Sequence, residues 1–590
     1  MPKAFALILL AVVVTNVASG AAVRATGVTA NVFVAPNGND GGSSCHRFAP
    51  AAQAPSPATA CATVAQALSL AQPGDVVQLL PGSYGPLLIS RQSGADTPKV
   101  VVRGDPALAQ QQHCAAGCKP GNVIVGDVDI CGHGLSIQNL DTSAVYAYVY
   151  VGARACPGTN TVTADHDIAL VNVHFNAGTL RGHALLLKGS RIGPNEHICD
   201  NGQGSNREDN LHIWPDTRSS PYTAPYDVTL DGNLIYDAVM STPGCDGAHA
   251  DLIQTLGYNR LTIENNIFWR PGHSFIQDGL LGGTKVGNAV IRNNFFGGPS
   301  APGGGYTHLG NPDPGPNCVN GPYVIENNTW ATGGLQLSCA DQVSTLRNNY
   351  LFVSANTHGT CGAGNWDHNV FDPSGVTCGT NAKRCKPQLL WPTAGSGDFT
   401  HGPDLHVAAT DRCLRGAGTV AAPGGTRRDL DGDTRPARTP VDVGADQWET
   451  ALIVPQRSIG RAALGSSQSA VEAFYGRASL VTRPLARGRP PVQVASYQLF
   501  DHALWVAFAN HVVVGVGTSS TYYSDLRGVG VGSSAASAVS AIGGRWLACR
   551  SAVVATRSGA VTQLAARGRS AAVNAVSIVR RAYAAAPLCK

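Results

Sequence analysis

Residues 261–270 read LTIENNIFWR, and nearly the same phrase returns at 289–298 (AVIRNNFFGG), 323–332 (YVIENNTWAT) and 344–353 (STLRNNYLFV). Each copy is an aliphatic residue, two asparagines two positions on, then bulky apolar residues. With the aliphatic residue as mark, the copies start at Ile263, Ile291, Ile325 and Leu346, at intervals of 28, 34 and 21. Looser relatives extend the series through Ile137, Leu170, Leu230 and Trp366, at further intervals of 33, 60, 33 and 20. A period of this size, with one doubled interval, marks stacked supersecondary units whose surplus residues form loops. If each unit lays its strands on those of the unit before, ~4.7–4.9 Å away, like residues stack on like. An inward-turning Asn at the corner then pairs its amide with the backbone above and below, satisfying groups a corner would strand. Asn265, Asn293, Asn327 and Asn348 are expected in one corner, with Phe268, Phe296, Trp330 and Phe352 filling the core beside them. Asn327 also opens a glycosylation sequon, but a ladder Asn is buried, so its role is read as structural.

The chain has 590 residues, 14% of them charged, a net charge of +4, 69 Gly and only 6% aromatics, which suits a loop-rich β protein. No basic stripe appears, so nucleic acid is not an expected partner. Lys3 precedes an apolar run from Ala4 to Val14 and then small residues near Ala21. That order predicts a secretory signal peptide over 1–21, too short to span a membrane, and an extracellular, monomeric mature protein with no membrane span. Sixteen cysteines in an exported chain favour disulfides over metal sites. Neighbour pairing would give Cys45–Cys61, Cys114–Cys118, Cys131–Cys156, Cys199–Cys245, Cys318–Cys339, Cys361–Cys378, Cys385–Cys413 and Cys549–Cys589, a connectivity that sequence alone leaves open.

A short helix is predicted over 63–71, stopped by QPGD and followed by the strand VVQLLPG, placed to cover the open end of the stack. This opening, PNGND then CATVAQALSLAQPGDVVQLLPGSYG, resembles the start of right-handed parallel β-helix proteins, among them secreted polysaccharide lyases of the chondroitinase B and alginate lyase type. The segment DLDGDTRPARTPVDVGADQWE, 429–449, resembles the closing segment of bacterial β-helix surface proteins. The resemblance spans 31–449 and implies an all-β, right-handed parallel β-helix directed at carbohydrate, with an acidic, uronate-containing polysaccharide as the expected partner. Within the closing segment, Asp429, Asp431 and Asp433 alternate as calcium ligands do, but the glycine and glutamate of an EF-hand loop are out of place, and a capping turn is the favoured reading.

From 455 to 590 the Asn pairs stop and Ala, Val, Ser and Arg dominate. SSQSAVEAFYG reads as a helix with a Ser469–Glu472 capping box, and 494–520 as three strands with turns at FDHA and ANH. This small α+β domain resembles the helix-then-sheet repeats of outer-membrane assembly lipoproteins and β-lactamase inhibitor proteins, which implies a binding module.

The richest polar stretch is 244–287. Its strands DLIQT and SFIQD align Gln254 above Gln277. A lyase acting on uronates needs a base for the proton beside the carboxylate, and donors or a cation to neutralise that carboxylate. Lys285 or His249 is the candidate base and Arg270 the charge support, with Asp251, Gln254, His273 and Gln277 as substrate contacts. Asp246 and Asp251 are a candidate calcium pair; no other cofactor is implied. A two-carboxylate glycosidase fits badly, because Asp251 and Asp278 stand four positions out of register, ~13 Å along the strand. The competing class is a non-catalytic surface or adhesin β-helix that binds glycans or protein partners.

Overall fold

The computed structural model describes residues 30–49, 59–104, 122–124, 126–142, 148–152, 165–198, 209–217, 221–240, 250–281, 284–298, 305–310, 322–337, 344–353, 364–389 and, in shorter runs, parts of 407–584. The aliphatic marks form one column of parallel pairs: Val32, Val77, Val102, Ile137, Leu170, Leu187, Leu230, Ile263, Ile291, Ile325, Leu346 and Trp366. The doubled interval holds a coil of its own, marked by Leu187, in which Gly189-Ser190 stands where the coils on either side carry an Asn. Coils in the middle of the stack run through three strands. The first carries the mark; the second follows the corner, as in Ile267–Trp269 and Phe295–Gly297; the third closes the coil, as in Ile253–Thr255 and Ser274–Asp278. All are parallel to their neighbours, which makes the chain a parallel β-helix.

The two corner asparagines divide the work. The first turns the chain in the left-handed region, with φ of 59°, 53°, 55° and 54° at Asn265, Asn293, Asn327 and Asn348, a conformation Asn tolerates better than other branched residues. These four share one corner, as expected, with Asn293 Nδ2 donating to Asn265 Oδ1 at 3.2 Å and Asn348 Nδ2 to Asn327 Oδ1 at 3.1 Å. The second asparagine makes the inward ladder. Asn233, Asn266, Asn294, Asn328, Asn349 and Asn369 are all buried, and each Oδ1 from Asn266 onward accepts both the backbone N–H and the Nδ2 of the previous rung at 2.8–3.0 Å. Asn327 is itself buried, in keeping with its structural reading. Beside the ladder, Phe268, Phe296 and Trp330 stack at 4.7 and 4.6 Å between centroids. The column continues through Leu351 and not Phe352, because Leu351 pairs with Trp330 and the strand's alternation turns Phe352 away.

The helix Val64–Leu70 is capped by Thr63, whose Oγ accepts from Gln66 N at 3.1 Å, and its Val64, Ala67 and Leu68 enter the same core as Val32, Val34 and Val77. The closing segment does not cap an end. Leu430 and Ala445 pack against Leu234, Tyr236, Ile267, Trp269 and Phe295 on the side of the stack, and Gly444 N donates to Asn348 O at 2.8 Å. Asp429 accepts from Gln447 N, a turn contact; Asp431 and Asp433 lie outside the described residues. Disulfides join Cys45 to Cys61 and Cys385 to Cys413, and Cys131 and Cys378 are also disulfide-bonded. The other expected pairings, Cys549–Cys589 included, and the signal segment fall outside the described residues. Among the described residues no helix is long and apolar enough to cross a membrane.

The C-terminal residues form an eight-stranded antiparallel sheet with helices Gln468–Tyr475 and Ala535–Ile542. The expected strands appear as Pro491–Leu499, His502–Ala509 and Val512–Thr518. The first helix is capped by Ser467, whose Oγ accepts from Ala470 N, and Glu472 bonds Gln468, so no Ser469–Glu472 box forms. Sequence reading missed a duplication. Ser534 caps the second helix as Ser467 caps the first, each helix is followed by four strands, and the halves meet through Val512–Thr518 and Val573–Arg580.

Candidate functional site

On the third strands an outward row runs Thr179, His212, Gln254, Gln277, His308, Gln336, each directly over the last. Its flanking residues, among them Leu211, Ile213, Ile253, Thr255, Ile276, Asp278, Thr307 and Leu309, are buried, which fixes the row's outward direction by the alternation of a strand. The register of Gln254 over Gln277 is the one expected from DLIQT and SFIQD.

Two Asp–His pairs lie along this row on neighbouring coils. Asp251 is fully buried; its Oδ1 accepts from Ser274 N at 2.9 Å and from His273 Nδ1 at 3.1 Å. The His273 side chain is 45% exposed. A carboxylate on Nδ1 fixes the tautomer and leaves Nε2 as the proton acceptor. Ser274 Oγ, 3.0 Å from His273 Nδ1, donates to Gln277 Oε1 at 3.4 Å, so Asp251, His273, Ser274 and Gln277 form one chain of contacts. His308 lies one coil on, its ring 6.3 Å from that of His273; burial, then the neighbouring His273, hold it below the usual imidazole range.

The second pair is Asp209 and His212, both buried, at 2.8 Å through Nε2. His212 Nδ1 meets Tyr148 Oη at 2.9 Å, and Tyr148 Oη meets Thr179 Oγ1 at 2.6 Å. Burial pushes the Asp209 carboxyl up, with His212 pulling it back, and burial raises the Tyr148 phenol. Asp251 N donates to Asp209 Oδ1 at 2.7 Å and ties the pairs together. Trp214 stacks on His212 at 4.1 Å, with the Arg181 guanidinium 6.0 Å from its ring. Asp209, His212, Trp214, Tyr148 and His308 were not found in the sequence, since their meeting depends on register across coils with unequal loops.

Of the residues expected at the site, Asp251, Gln254, His273 and Gln277 come together. Arg270 sits at the corner before His273, φ 53°, and pairs with Asp237 of the previous coil at 3.2 Å. Lys285 is exposed in the turn after the third strand, and its side chain makes no hydrogen bond or ion pair with a described residue. His249 and Asp246 lie outside the described residues. Calcium at Asp251 fits poorly, because its Oδ1 is committed to two nitrogen donors.

Asp278 turns inward, away from the row. Its carboxylate accepts from Thr255 Oγ1 at 2.9 Å, Tyr258 Oη at 3.0 Å and Gly310 N at 2.9 Å, and burial raises its pKa to about 6. A raised folded pKa means the native state holds the proton more tightly than the unfolded chain. Stability from this group is therefore full below about pH 3.8 and is lost as pH rises through about 6. Asp278→Asn removes the titration. In urea unfolding at pH 4 and pH 7, the stability of D278N relative to the native protein is expected to rise by about 2 kcal/mol over that interval, since each tenfold difference in proton affinity between the folded and unfolded chain is worth ~1.4 kcal/mol and pH 4 already lies just above the unfolded value.

No family model and no curated protein matches the chain. Solved structures do. A cysteine-rich secretory protein, SAV1118, from Staphylococcus aureus subsp. aureus Mu50 matches at 11% identity and TM-score 0.18, over 22% of this chain and 47% of its own length, so the chain spans about half of it. Pectate lyase Pel9A matches at 14% identity and TM-score 0.33, over 72% of this chain and 98% of its own. Tailspike protein gp49 from Acinetobacter baumannii bacteriophage Fri1, a capsular polysaccharide depolymerase, matches at 11% and 0.30, over 87% and 80%. The chain is a parallel β-helix on its own register, with a polar row along its third strands and two Asp–His pairs beside it, of which only His273 is substantially exposed.

Proposed function

We propose that this protein cleaves an acidic polysaccharide by β-elimination, after export, on the outward face of its third strands. The observation that carries the reading is the Asp251–His273 pair beside Gln254 and Gln277: an oriented, accessible base next to two stacked amide donors. Gln254 and Gln277 bind the uronate carboxylate through their side-chain N–H groups, which makes the adjacent C5 proton more acidic. His273 Nε2 removes that proton. Its electron pair becomes the C4=C5 double bond, the C4–O glycosidic bond breaks, the departing oxygen takes a proton from water, and His273 returns its proton to solvent. His308, kept neutral, offers a further N–H donor, and Trp214 an apolar platform for a sugar face. In this reading His273 takes the base's role that the sequence suggested for Lys285 or His249, while Arg270, already paired, supports the corner. The small C-terminal domain is proposed as a binding module.

A second reading, glycan binding without turnover, draws on the pairing of Arg270 with Asp237, which withholds the expected cation from the row. One experiment separates them. The full-length protein is incubated with pectate, alginate and chondroitin, and the ultraviolet absorbance of unsaturated uronate ends is followed. A rise with one of the three is expected. No rise with any, together with retention of a glycan on an array, replaces the first reading by the second.

A further inference from the structure

At the corner that leads into the first strands, a second column of side chains stands outward. His133, His166, His183 and Tyr226 lie directly over one another on four successive coils. Their rings stack at 4.9, 4.9 and 4.5 Å between centroids. The residue after each has positive φ: Gly134 at 63°, Asp167 at 54°, Ala184 at 52° and Asp227 at 55°. Ala184 gains nothing locally from that conformation, which is unfavourable by ~1–2 kcal/mol for an ordinary L-residue. The turn is thus held by the fold, and it points every ring the same way. Asp96, from the connection between Leu87–Arg91 and Val100–Arg103, brings its carboxylate onto His133 Nδ1. His166 Nδ1 meets Asp167 Oδ2 at 2.8 Å. The ligating atoms of Asp96, His133 and His166 all lie within 4.8 Å of one another, and the three side chains are partly exposed. One coil on, His183 Nδ1 is buried and has no hydrogen-bond partner among the described residues, in a column where the other two imidazoles face carboxylates.

We propose that Asp96, His133 and His166 bind one divalent transition-metal ion, with Zn²⁺ the best fit, and that the ion staples the connection bearing Asp96 to the two coils that follow. Two imidazoles and a carboxylate suit Zn²⁺, Co²⁺ or Ni²⁺ and not calcium, whose ligands are oxygens. Tetrahedral zinc with bonds of ~2.0–2.1 Å wants its donors about 3.3 Å apart, so side-chain rotations of roughly 1 Å close the site without moving the backbone. Three protein ligands leave a fourth position for water. The ligands come from 37 and 33 residues apart along the chain, 96 to 133 and 133 to 166, so the ion cross-links three separate segments.

The test uses the full-length chain, stripped with chelator and dialysed. Titration with Zn²⁺ by calorimetry is expected to show one equivalent bound at this site, a rise of several degrees in thermal midpoint with excess ion, and visible absorption from Co²⁺ in tetrahedral nitrogen and oxygen coordination. His166→Ala is expected to weaken binding at least 100-fold and to abolish both the midpoint shift and the Co²⁺ band. Asp96→Asn, on an exposed side chain where folding is not at risk, is expected to weaken binding at least 10-fold. Absence of stoichiometric uptake by the native chain, or uptake unchanged in both variants, overturns the proposal, the latter by assigning the ion to other histidines.

Discussion

Asn294→Ala is expected to destabilise the protein by about 4 kcal/mol, far more than the same change at Asn265, at the outer corner position of the preceding coil. Asn294 Oδ1 accepts from Asn266 N at 2.9 Å and from Asn266 Nδ2 at 3.0 Å, and its own Nδ2 donates to Ile263 O at 2.8 Å and Asn328 Oδ1 at 3.0 Å. All of these atoms are buried. Alanine keeps the backbone N–H of residue 294 but strands the Asn266 N–H and removes a donor from Ile263 O. Each buried group left unpaired costs ~1–3 kcal/mol, and the two together give that figure. At Asn265 the side chain is half-buried and the main loss is the preference for positive φ, so Asn265→Ala should cost about 1 kcal/mol. Urea unfolding of both variants checks the ordering. Equal effects would mean that the inner amides carry no more than the outer ones.

If the proposed β-elimination holds, His273→Ala is expected to lower kcat by 10²- to 10⁴-fold, the usual range for a positioned base. The thermal midpoint should hold, because the ring is 45% exposed and its partner Asp251 keeps the Ser274 N–H. Gln277→Ala should act differently, raising KM more than it lowers kcat, since an amide that holds the carboxylate binds ground and transition states alike. Steady-state kinetics on the two variants give the split. If His273→Ala retains turnover while Lys285→Ala loses it, the base is the one suggested by the sequence and the Asp251–His273 pair is structural.

The first strand and the corner were legible because each coil repeats the same constraint: an aliphatic residue inward, a left-handed residue, an amide inward. One coil escaped because glycine and serine meet the constraint at 189 and 190 without asparagine, Gly189 at φ 58° and Ser190 Oγ donating to Lys188 O. That omission also hid the histidine column. Counted from the marks Ile137, Leu170, Leu187 and Leu230, the position four residues earlier reads His133, His166, His183 and Tyr226. With Leu187 missing, two histidines remain and the series is invisible. Gln254 over Gln277 was readable because the loop between those strands is short and both are followed by Asn-Asn corners. Asp209 and His212 were not, for they reach the row from a coil whose corner lacks the asparagines, and nothing local to them separates a buried pair from a solvated one.

The duplicated C-terminal sheet carries a consequence of symmetry. Gly515 pairs with Val579 and Thr518 with Val576 across the junction, while Ser467 bridges Val512 in the first half as Ser534 bridges Ala572 in the second. Aligned on Val512 and Ala572, residues 516 and 518 correspond to 576 and 578, so the pair Val516–Ile578 exchanges with Thr518–Val576 and the junction maps onto itself when the halves are exchanged. Each half therefore presents an edge that its own duplicate fits, as the subunits of a two-fold dimer do. The eight strands are arranged as two such subunits joined by a linker, and a single half made alone would expose the edge through which it recognises another copy of itself.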